Sequence, residues 1–230
     1  MATNPTSEPP GEAVALPGLP GSRPADPIGA MSTHRVEALA DGVFAIIMTL
    51  LVFDIRVPEV PPDQLPAALL ELVPNLEGYL ISFVLLGIYW IGHRNQFNFI
   101  RRADRNLHWL NILFFGLAGL VPFSTGLVAR YPSELLVETI YGLNLMAIGL
   151  ALFLHWSYAT RNFRLVDPGM SRAAIRLGKQ RSLLAPACYG VAILLGLINP
   201  RLSLVVYALV PILYIFPGVQ KFWHHLAHRQ

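Results

Sequence analysis

Charged residues are scarce in this sequence. They make up 13% of its 230 residues, while 54% are hydrophobic, and an average soluble domain carries about 25% charged residues. A chain of this length cannot bury that much apolar surface in one globule and still present a polar surface to water. The deficit of charge therefore predicts an integral membrane protein, with the lipid bilayer as its partner.

Cysteine and recognisable catalytic patterns are also lacking. Cys188 is the single cysteine and stands in an apolar run, so we interpret it as a packing residue that forms no intrachain disulfide. The sequence has no Gly-x-Ser-x-Gly elbow, no glycine-rich phosphate loop and no His-Glu-x-x-His pair, which disfavours an enzyme or a bound cofactor. The basic residues form short clusters between apolar runs, which disfavours nucleic acid as a partner.

The chain ends differ in composition from its centre. Residues 1–30 are rich in Pro, Gly, Ser and Ala and show no apolar periodicity, so we expect a disordered cytoplasmic tail. They also lack the basic region and compact apolar run of a signal peptide. Residues 31–225 are expected to form the transmembrane domain, and 226–230 a short cytoplasmic tail.

Apolar segments of membrane-spanning length recur along the rest of the chain. About 20 residues of helix cross a hydrocarbon core about 30 Å thick, and prolines or short polar connections separate six such segments. The predicted spans are residues 33–57, 66–92, 107–129, 135–158, 182–198 and 202–222. The sequence thus predicts an all-α integral membrane protein with six transmembrane helices, of which Pro122 and Pro211 could interrupt two.

Positive charge is unevenly divided between the two ends of these spans. Of the 17 Lys and Arg residues, only Arg56, Arg130 and Arg201 fall in the connections that alternate with the basic clusters. Lys and Arg are retained on the cytoplasmic side during insertion. We therefore expect a multi-pass protein of the cell membrane with both termini cytoplasmic and an even number of spans.

The first predicted helix combines charges with an apolar stripe. Asp41 lies about two turns inside it, where a charge needs a partner or a snorkelling position at the interface. Ile46, Leu50 and Phe53 recur at helical spacing and share one face, with Thr49 beside them. Such a stripe is typical of a lipid-facing or packing surface, and periodicity alone does not assign it to a pore.

Histidines and an asparagine lie near the predicted helix ends. His93 and His155 stand beside the cytoplasmic basic clusters, which predicts interfacial positions and disfavours metal or haem ligation. We expect His93 or Asn111 to partner with Asp41 and Arg35, because lipid offers polar groups no hydrogen bonds.

The motifs of this first helix resemble those of the transmembrane protein 175 family of potassium channels. Family members begin the helix with Arg-x-x-x-Phe-Ser-Asp and Gly or Ala, continue with an Ile-rich stretch containing Thr, and end at Val/Leu-Pro. The matching positions here are Arg35-x-x-x-Leu39-Ala40-Asp41-Gly42, Ile46-Ile47-Met48-Thr49 and Val57-Pro58, followed by Tyr89-Trp90 and His93, then Arg101, Arg102 and Trp109 to Asn111, and Val121-Pro122-Phe123. The resemblance covers most of residues 33 to 225.

Two positions depart from the family motif. Leu39 replaces its Phe and Ala40 replaces its Ser, so a hydroxyl that could bond a neighbouring helix is missing. Three interpretations of these replacements stay open. Neighbouring residues compensate for the missing hydroxyl, the gating equilibrium differs from that of typical members, or this chain is a divergent relative with altered conduction.

The resemblance implies a homotetrameric channel whose first helices surround one axis. In that arrangement Ile46 is the principal hydrophobic constriction, Leu50 and Phe53 lie further along the pore, and Thr49 presents a hydroxyl near the narrowest point. The motif residues would form a gating network, which comprises Arg35, Leu39, Ala40, Asp41, His93 and Asn111. Potassium is the permeant ion expected, and the sequence has no Thr-Val-Gly-Tyr-Gly segment for a carbonyl filter.

Asp54 has two interpretations at the other end of the helix. It either attracts cations at the outer mouth of a pore or forms an interfacial ion pair with Arg56. Two other functions also stay open: a secondary transporter linked to protons through Asp41, and a membrane scaffold that conducts nothing.

Overall fold

The computed structural model describes residues 33–132 and 134–215, so the predicted tails and the end of the sixth span lie outside the described residues. The described residues fold into helices connected by turns. In chain order the helices are α1 (Thr33–Leu50), α2 (Leu65–Glu71), α3 (Val73–Phe97), α4 (Arg105–Gly119), α5 (Val121–Arg130), α6 (Leu135–Thr160), α7 (Arg172–Gly196) and α8 (Pro200–Ile215). One 3-10 turn, Leu51–Asp54, extends α1, and another, Arg161–Phe163, follows α6.

Four segments of the described chain are long and apolar enough to cross a membrane. They are Thr33–Asp54, Val73–Phe97, Arg105–Arg130 and Leu135–Phe163, and α8 adds a shorter apolar helix, Pro200–Tyr214. The four segments overlap the first four predicted spans, although the second begins seven residues later and ends five residues later than predicted. The prediction of an all-α membrane fold is confirmed for the described residues.

The fifth predicted span begins much earlier than its apolar run indicates. The Ser171 hydroxyl accepts a hydrogen bond from the Ala174 N–H at 3.1 Å and caps α7, so the helix starts at Arg172. Its first turns carry basic residues, and hydropathy alone therefore does not register them as part of the helix.

The two prolines singled out in the sequence behave differently. Pro122 lies in the first turn of α5, where its missing N–H costs no helical hydrogen bond, and α4 ends just before it. Helix α8 instead continues through Pro211. The prediction of an interruption therefore holds at Pro122 and is wrong at Pro211.

Helix α6 lies at the centre of the bundle and packs against α7, α4, α5, α8 and α3, whereas α1 packs against α3 and α4. The contact between α6 and α7 is close because α6 presents glycine there. A Cβ added at Gly149 would lie 2.6 Å from Cγ of Pro186. The ring of Pro186 therefore occupies the space that a side chain at residue 149 would fill.

Candidate functional site

Helix α1 has one face against the bundle and one face away from it. Val36, Ala40, Phe44 and Ile47 are buried. The predicted pore stripe lies on the opposite face, where Ile46 is 62% exposed and Leu50 and Phe53 are 43% and 73% exposed. The stripe therefore does not pack inside its own bundle, and it is available to lipid or to another copy of the chain.

Two further residues of the stripe share this exposed face. The Thr49 hydroxyl donates to the Ile46 carbonyl oxygen at 2.8 Å, which leaves the lone pairs of its oxygen free to accept. Leu39, which replaces the family Phe, is 54% exposed and lies two turns before Ile46. The exposed stripe of α1 thus extends from Leu39 to Phe53 and is longer than the sequence predicted.

Asp41 accepts a hydrogen bond from a side chain of α3. The indole N–H of Trp90 donates to Oδ1 of Asp41 at 2.7 Å, and the Arg94 guanidinium lies 5.7 Å from the centre of the Trp90 ring. Arg35 is exposed near the start of α1. The partner of Asp41 is therefore Trp90, and not His93 or Asn111 as the sequence predicted.

A pocket of about 220 Å³ opens beside this contact between α1 and α3. Its walls combine acidic, basic and aromatic groups and the first turns of α1. The lining residues are His34, Glu37, Ala38, Ala40, Asp41, Trp90, His93 and Arg94.

Beneath the pocket, four polar side chains form a buried chain of hydrogen bonds that we call the histidine–amide network: His93, Gln96, Asn111 and His155. Nε2 of His93 lies 2.7 Å from Oδ1 of Asn111, and the Asn111 amide nitrogen lies 3.2 Å from Nε2 of His155. Nδ1 of His155 then lies 2.6 Å from Oε1 of Gln96. These contacts are all satisfied when His93 donates through Nε2 and a neutral His155 carries its hydrogen on Nδ1.

The network corrects the expected partners of His93 and Asn111. The sequence predicted that one of them would partner with Asp41 and Arg35, but the two side chains bond to each other and Trp90 bonds to Asp41 instead, so that prediction is wrong. His155 is 1% exposed, so its side chain is buried between the helices and not on the surface of the bundle. Gln96 was not anticipated, although it lies three residues after His93 and therefore on the same face of α3.

Aromatic rings connect the network to α1. The Phe44 ring lies 5.7 Å from the Phe114 ring, and Phe114 stacks on His93 with centroids 5.2 Å apart and planes within 6°. Helix α1 is therefore connected to the network through the rings of Phe44 and Phe114, and it is bonded to α3 separately through Asp41 and Trp90.

Asp54 ends the 3-10 turn at the other end of α1. Its backbone carbonyl accepts a hydrogen bond from the Asn75 amide at 3.2 Å, and its carboxylate lies against Gly126 of α5. No ion pair with Arg56 forms among the described residues, and Asp54 is exposed.

In residues 33–132 and 134–215, no three His, Cys, Asp or Glu residues come together in a group that could hold a metal ion. Nε2 of His93 and both ring nitrogens of His155 face side-chain amide groups.

The fold and this site define a helical integral membrane protein in which an apolar face of α1 is held outward by contacts on its opposite side. Residues 35–122 match the family model described as the endosomal/lysosomal potassium channel TMEM175. A potassium channel of Streptomyces collinus is 35% identical over 190 residues, which are 80% of this chain and 92% of that protein. The chain belongs to the TMEM175 family.

The chain is also similar in sequence and in structure to channels of Chamaesiphon minutus. A potassium channel of Chamaesiphon minutus is 33% identical over 177 residues, which are 74% of this chain and 87% of that protein. The crystal structure of a lysosomal potassium-selective channel TMEM175 homolog from Chamaesiphon minutus aligns with a TM-score of 0.71 and 31% identity, over 79% of this chain and 95% of that one. The resemblance found in the sequence is confirmed.

Proposed function

We propose that this protein is a potassium-permeable cation channel, and that four copies assemble so that the exposed face of α1 lines a central pore. The observation that carries the proposal is the exposed apolar stripe on α1. Ile46, Leu50 and Phe53 are not buried within their own chain, and two relatives that are similar over most of their length are named potassium channels.

A constriction built from apolar side chains accounts for both gating and ion preference. Hydrophobic constrictions close a pore by dewetting, and Ile46 would form the narrowest ring. An ion that passes such a ring leaves most of its hydration shell behind, so a weakly hydrated cation passes more readily. Potassium is favoured over sodium for this reason.

The contacts of α1 with α3 and α4 would set the orientation of the stripe. Trp90 holds Asp41, and Phe44 packs against Phe114, which stacks on His93. Ala40 is 2% exposed, so this small side chain replaces the family Ser inside the packed face. We infer that aromatic packing and the Trp90 hydrogen bond compensate for the missing hydroxyl.

Six spans with cytoplasmic termini complete the proposed arrangement. Helices α7 and α8 form the last pair of spans, because they pack on each other and on α6. The basic residues of α7 gather in its first turns, before residue 182, which favours a cytoplasmic start for this helix. Asp54 would then lie at the outer mouth of the pore.

Flux measurements in proteoliposomes test the proposal. Purified wild-type protein should dissipate a potassium gradient faster than empty vesicles do, and the flux should depend on membrane potential. Saturable flux coupled to pH would indicate a secondary transporter instead, and flux equal to that of empty vesicles would indicate a non-conducting scaffold.

The Ile46→Asn variant tests the constriction. A polar ring hydrates the narrowest point, so we expect a higher sodium flux relative to potassium than in the wild type. Ile112→Asn is the matched control, because Ile112 is 53% exposed on α4, and it should leave the flux ratio unchanged. An unaltered flux ratio in Ile46→Asn would remove this residue from the constriction.

A further inference from the structure

A glutamate is buried at the end of the bundle remote from the histidine–amide network. Glu138 lies in the first turn of α6 and is 1% exposed. It precedes His155 by four to five helical turns, which corresponds to about 25 Å along the helix. None of the contacts proposed for conduction uses this side chain.

The carboxyl group of Glu138 has one long contact with a hydroxyl group, from Ser203 to Oε2, and no partner at Oε1 among the described residues. The Ser203 hydroxyl of α8 has one hydrogen and lies 2.6 Å from the Pro200 carbonyl oxygen, which accepts it. The Tyr207 hydroxyl donates to the backbone carbonyl of Glu138 at 3.0 Å, not to the side chain. Ser203 Oγ also lies 3.4 Å from Oε2 of Glu138, and Oε1 has no hydrogen-bond partner among the described residues.

These contacts favour the protonated form of the Glu138 carboxyl group. If Ser203 donates to Pro200, its contact with Oε2 is a hydrogen bond only when the carboxyl group is the donor. An ionised carboxylate whose one contact is a long one to a single hydroxyl group is more costly to bury than a neutral acid. The packed arrangement of α6 and α8 is therefore compatible with the acid and opposes the carboxylate.

The other groups around Glu138 supply no positive charge. From α8 the ionisable neighbour is Tyr207, and from α6 itself it is Tyr141, whose ring lies 5.3 Å from the Tyr207 ring. At this level α7 contributes Ile193, which approaches α6 beside Gly142, as does Tyr207.

Charged side chains also occur at the ends of α5, α6 and α8 that lie on the same side of the bundle as Glu138. They are Arg130 at the end of α5, Glu134 before α6 and Arg201 in the first turn of α8, and each is exposed. None of them is bonded to Glu138 among the described residues. The carboxyl group thus has no counter-ion there.

We propose that Glu138 is a proton-binding site that ties the packing of α8 against α6 to the protonation of one carboxyl group. The proton stays bound while α8 covers the side chain. Its release requires water or a cation to enter the junction of α6, α7 and α8, and hence requires α8 to separate from α6. This inference does not depend on conduction through α1.

Infrared spectroscopy of the purified full-length protein tests the protonation state. At neutral pH we expect the carbonyl stretch of a protonated carboxylic acid, shifted by deuterated solvent and absent from Glu138→Gln. Glu134→Gln is the matched control, because Glu134 lies one turn earlier and is exposed, and it should keep the band. A wild-type spectrum with no carboxylic acid band would overturn the proposal even if the variant failed to fold.

The pH dependence of unfolding provides a second readout. The folded state holds a proton that the unfolded chain loses, so raising the pH favours unfolding. Above neutral pH, the apparent unfolding constant of the wild type should rise by on the order of tenfold per pH unit relative to that of Glu138→Gln. Equal slopes would contradict the proposal. Stabilisation by sodium or potassium chloride, but not by choline chloride, that is present in the wild type and lost in Glu138→Gln would overturn it in favour of a cation site at Glu138.

Discussion

At the scale of single residues, Asn111 has a central position in the polar core. Its amide oxygen faces His93 and its amide nitrogen faces His155, so one side chain satisfies two rings on two different helices. The same nitrogen also donates to the Leu107 carbonyl oxygen at 2.8 Å. Removing this amide leaves polar atoms on α3 and α6 with no partner in a region that excludes water.

We therefore expect Asn111→Ala to destabilise the protein by about 1–3 kcal/mol, the cost of leaving buried polar groups unpaired. The melting temperature in detergent measures the effect. Asn95→Ala is the control, because Asn95 is exposed on α3, and it should change stability by no more than about 0.5 kcal/mol. Similar losses in the two variants would show that the network contributes little.

Asp104 concentrates several interactions on one carboxylate. Its Oδ1 accepts from the Leu107 N–H at 2.9 Å and caps α4, while Oδ2 accepts from Tyr158 at 2.7 Å and from Arg164 at 3.1 Å. Partial burial by itself would raise the pKa of Asp104, but the hydrogen bonds from Tyr158 and Leu107 and the charge of Arg164 outweigh it and lower the pKa below its ordinary value.

Because folding lowers the pKa of Asp104, the ionised carboxylate stabilises the folded protein, and this stabilisation depends on pH. The contribution is fully present above the unfolded-state pKa of about 3.9 and is lost as the pH falls through the lower folded-state pKa. Asp104→Asn should thus be less stable than the wild type near neutral pH, and the difference should shrink below about pH 4. Melting curves across this range measure it, with exposed Asp63→Asn as the control that should follow the wild type.

Only part of this residue-level structure could be predicted from the sequence. The rule that lipid cannot satisfy polar groups predicts polar partners for His93 and Asn111, but the sequence assigned those partners as Asp41 and Arg35, whereas the two side chains bond to each other. The partners of Asp41 and His155 did not follow, because Trp90 and Gln96 become their neighbours only through the rotation and depth of α3. Neither quantity is encoded in spacing along one helix.

At the scale of helices, hydropathy located the first four spans but not all of their ends. Apolar composition identifies the part of a helix that crosses lipid, whereas caps determine where the helix begins and ends. Ser171 starts α7 at Arg172, and α1 gives way to a 3-10 turn at Leu51 before the prolines are reached. Capping contacts and tertiary packing therefore set the boundaries that periodicity missed.

The close approach of α6 and α7 depends on Gly149. A methyl group there would lie 2.6 Å from a ring atom of Pro186, which cannot rotate away, so we expect Gly149→Ala to cost about 1–3 kcal/mol through overpacking. Gly116→Ala is the control, because no atom lies within 4 Å of the added Cβ. That variant should be stabilised by up to about 1 kcal/mol through helix propensity, and a neutral Gly149→Ala would show that the helices separate easily.

At the scale of the whole molecule, the surface of the single chain is strongly apolar. Most of this surface suits lipid, and a pore-lining stripe cannot be told from a lipid-facing one by hydrophobicity, since both are exposed in one chain. What distinguishes the exposed face of α1 is its position opposite Asp41 and Phe44, which hold the helix on the bundle. Assembly of several copies is the step that sequence pattern could not supply, and family membership supports it.

Cross-linking tests whether copies of α1 meet around a shared axis. In a Cys188→Ser background, Ile46→Cys should form a reducible disulfide between chains under mild oxidation in membranes, because a disulfide needs Cβ atoms about 3.5–4.5 Å apart. Ile112→Cys is the control, since Ile112 is comparably exposed on α4 and would face lipid or a different surface. The purified assembly should have about four times the 25.4 kDa mass of one chain. Disulfides at both positions would indicate random collision, and an intact tetramer with no disulfide at Ile46 would place this isoleucine away from the axis and remove the basis of the proposed pore.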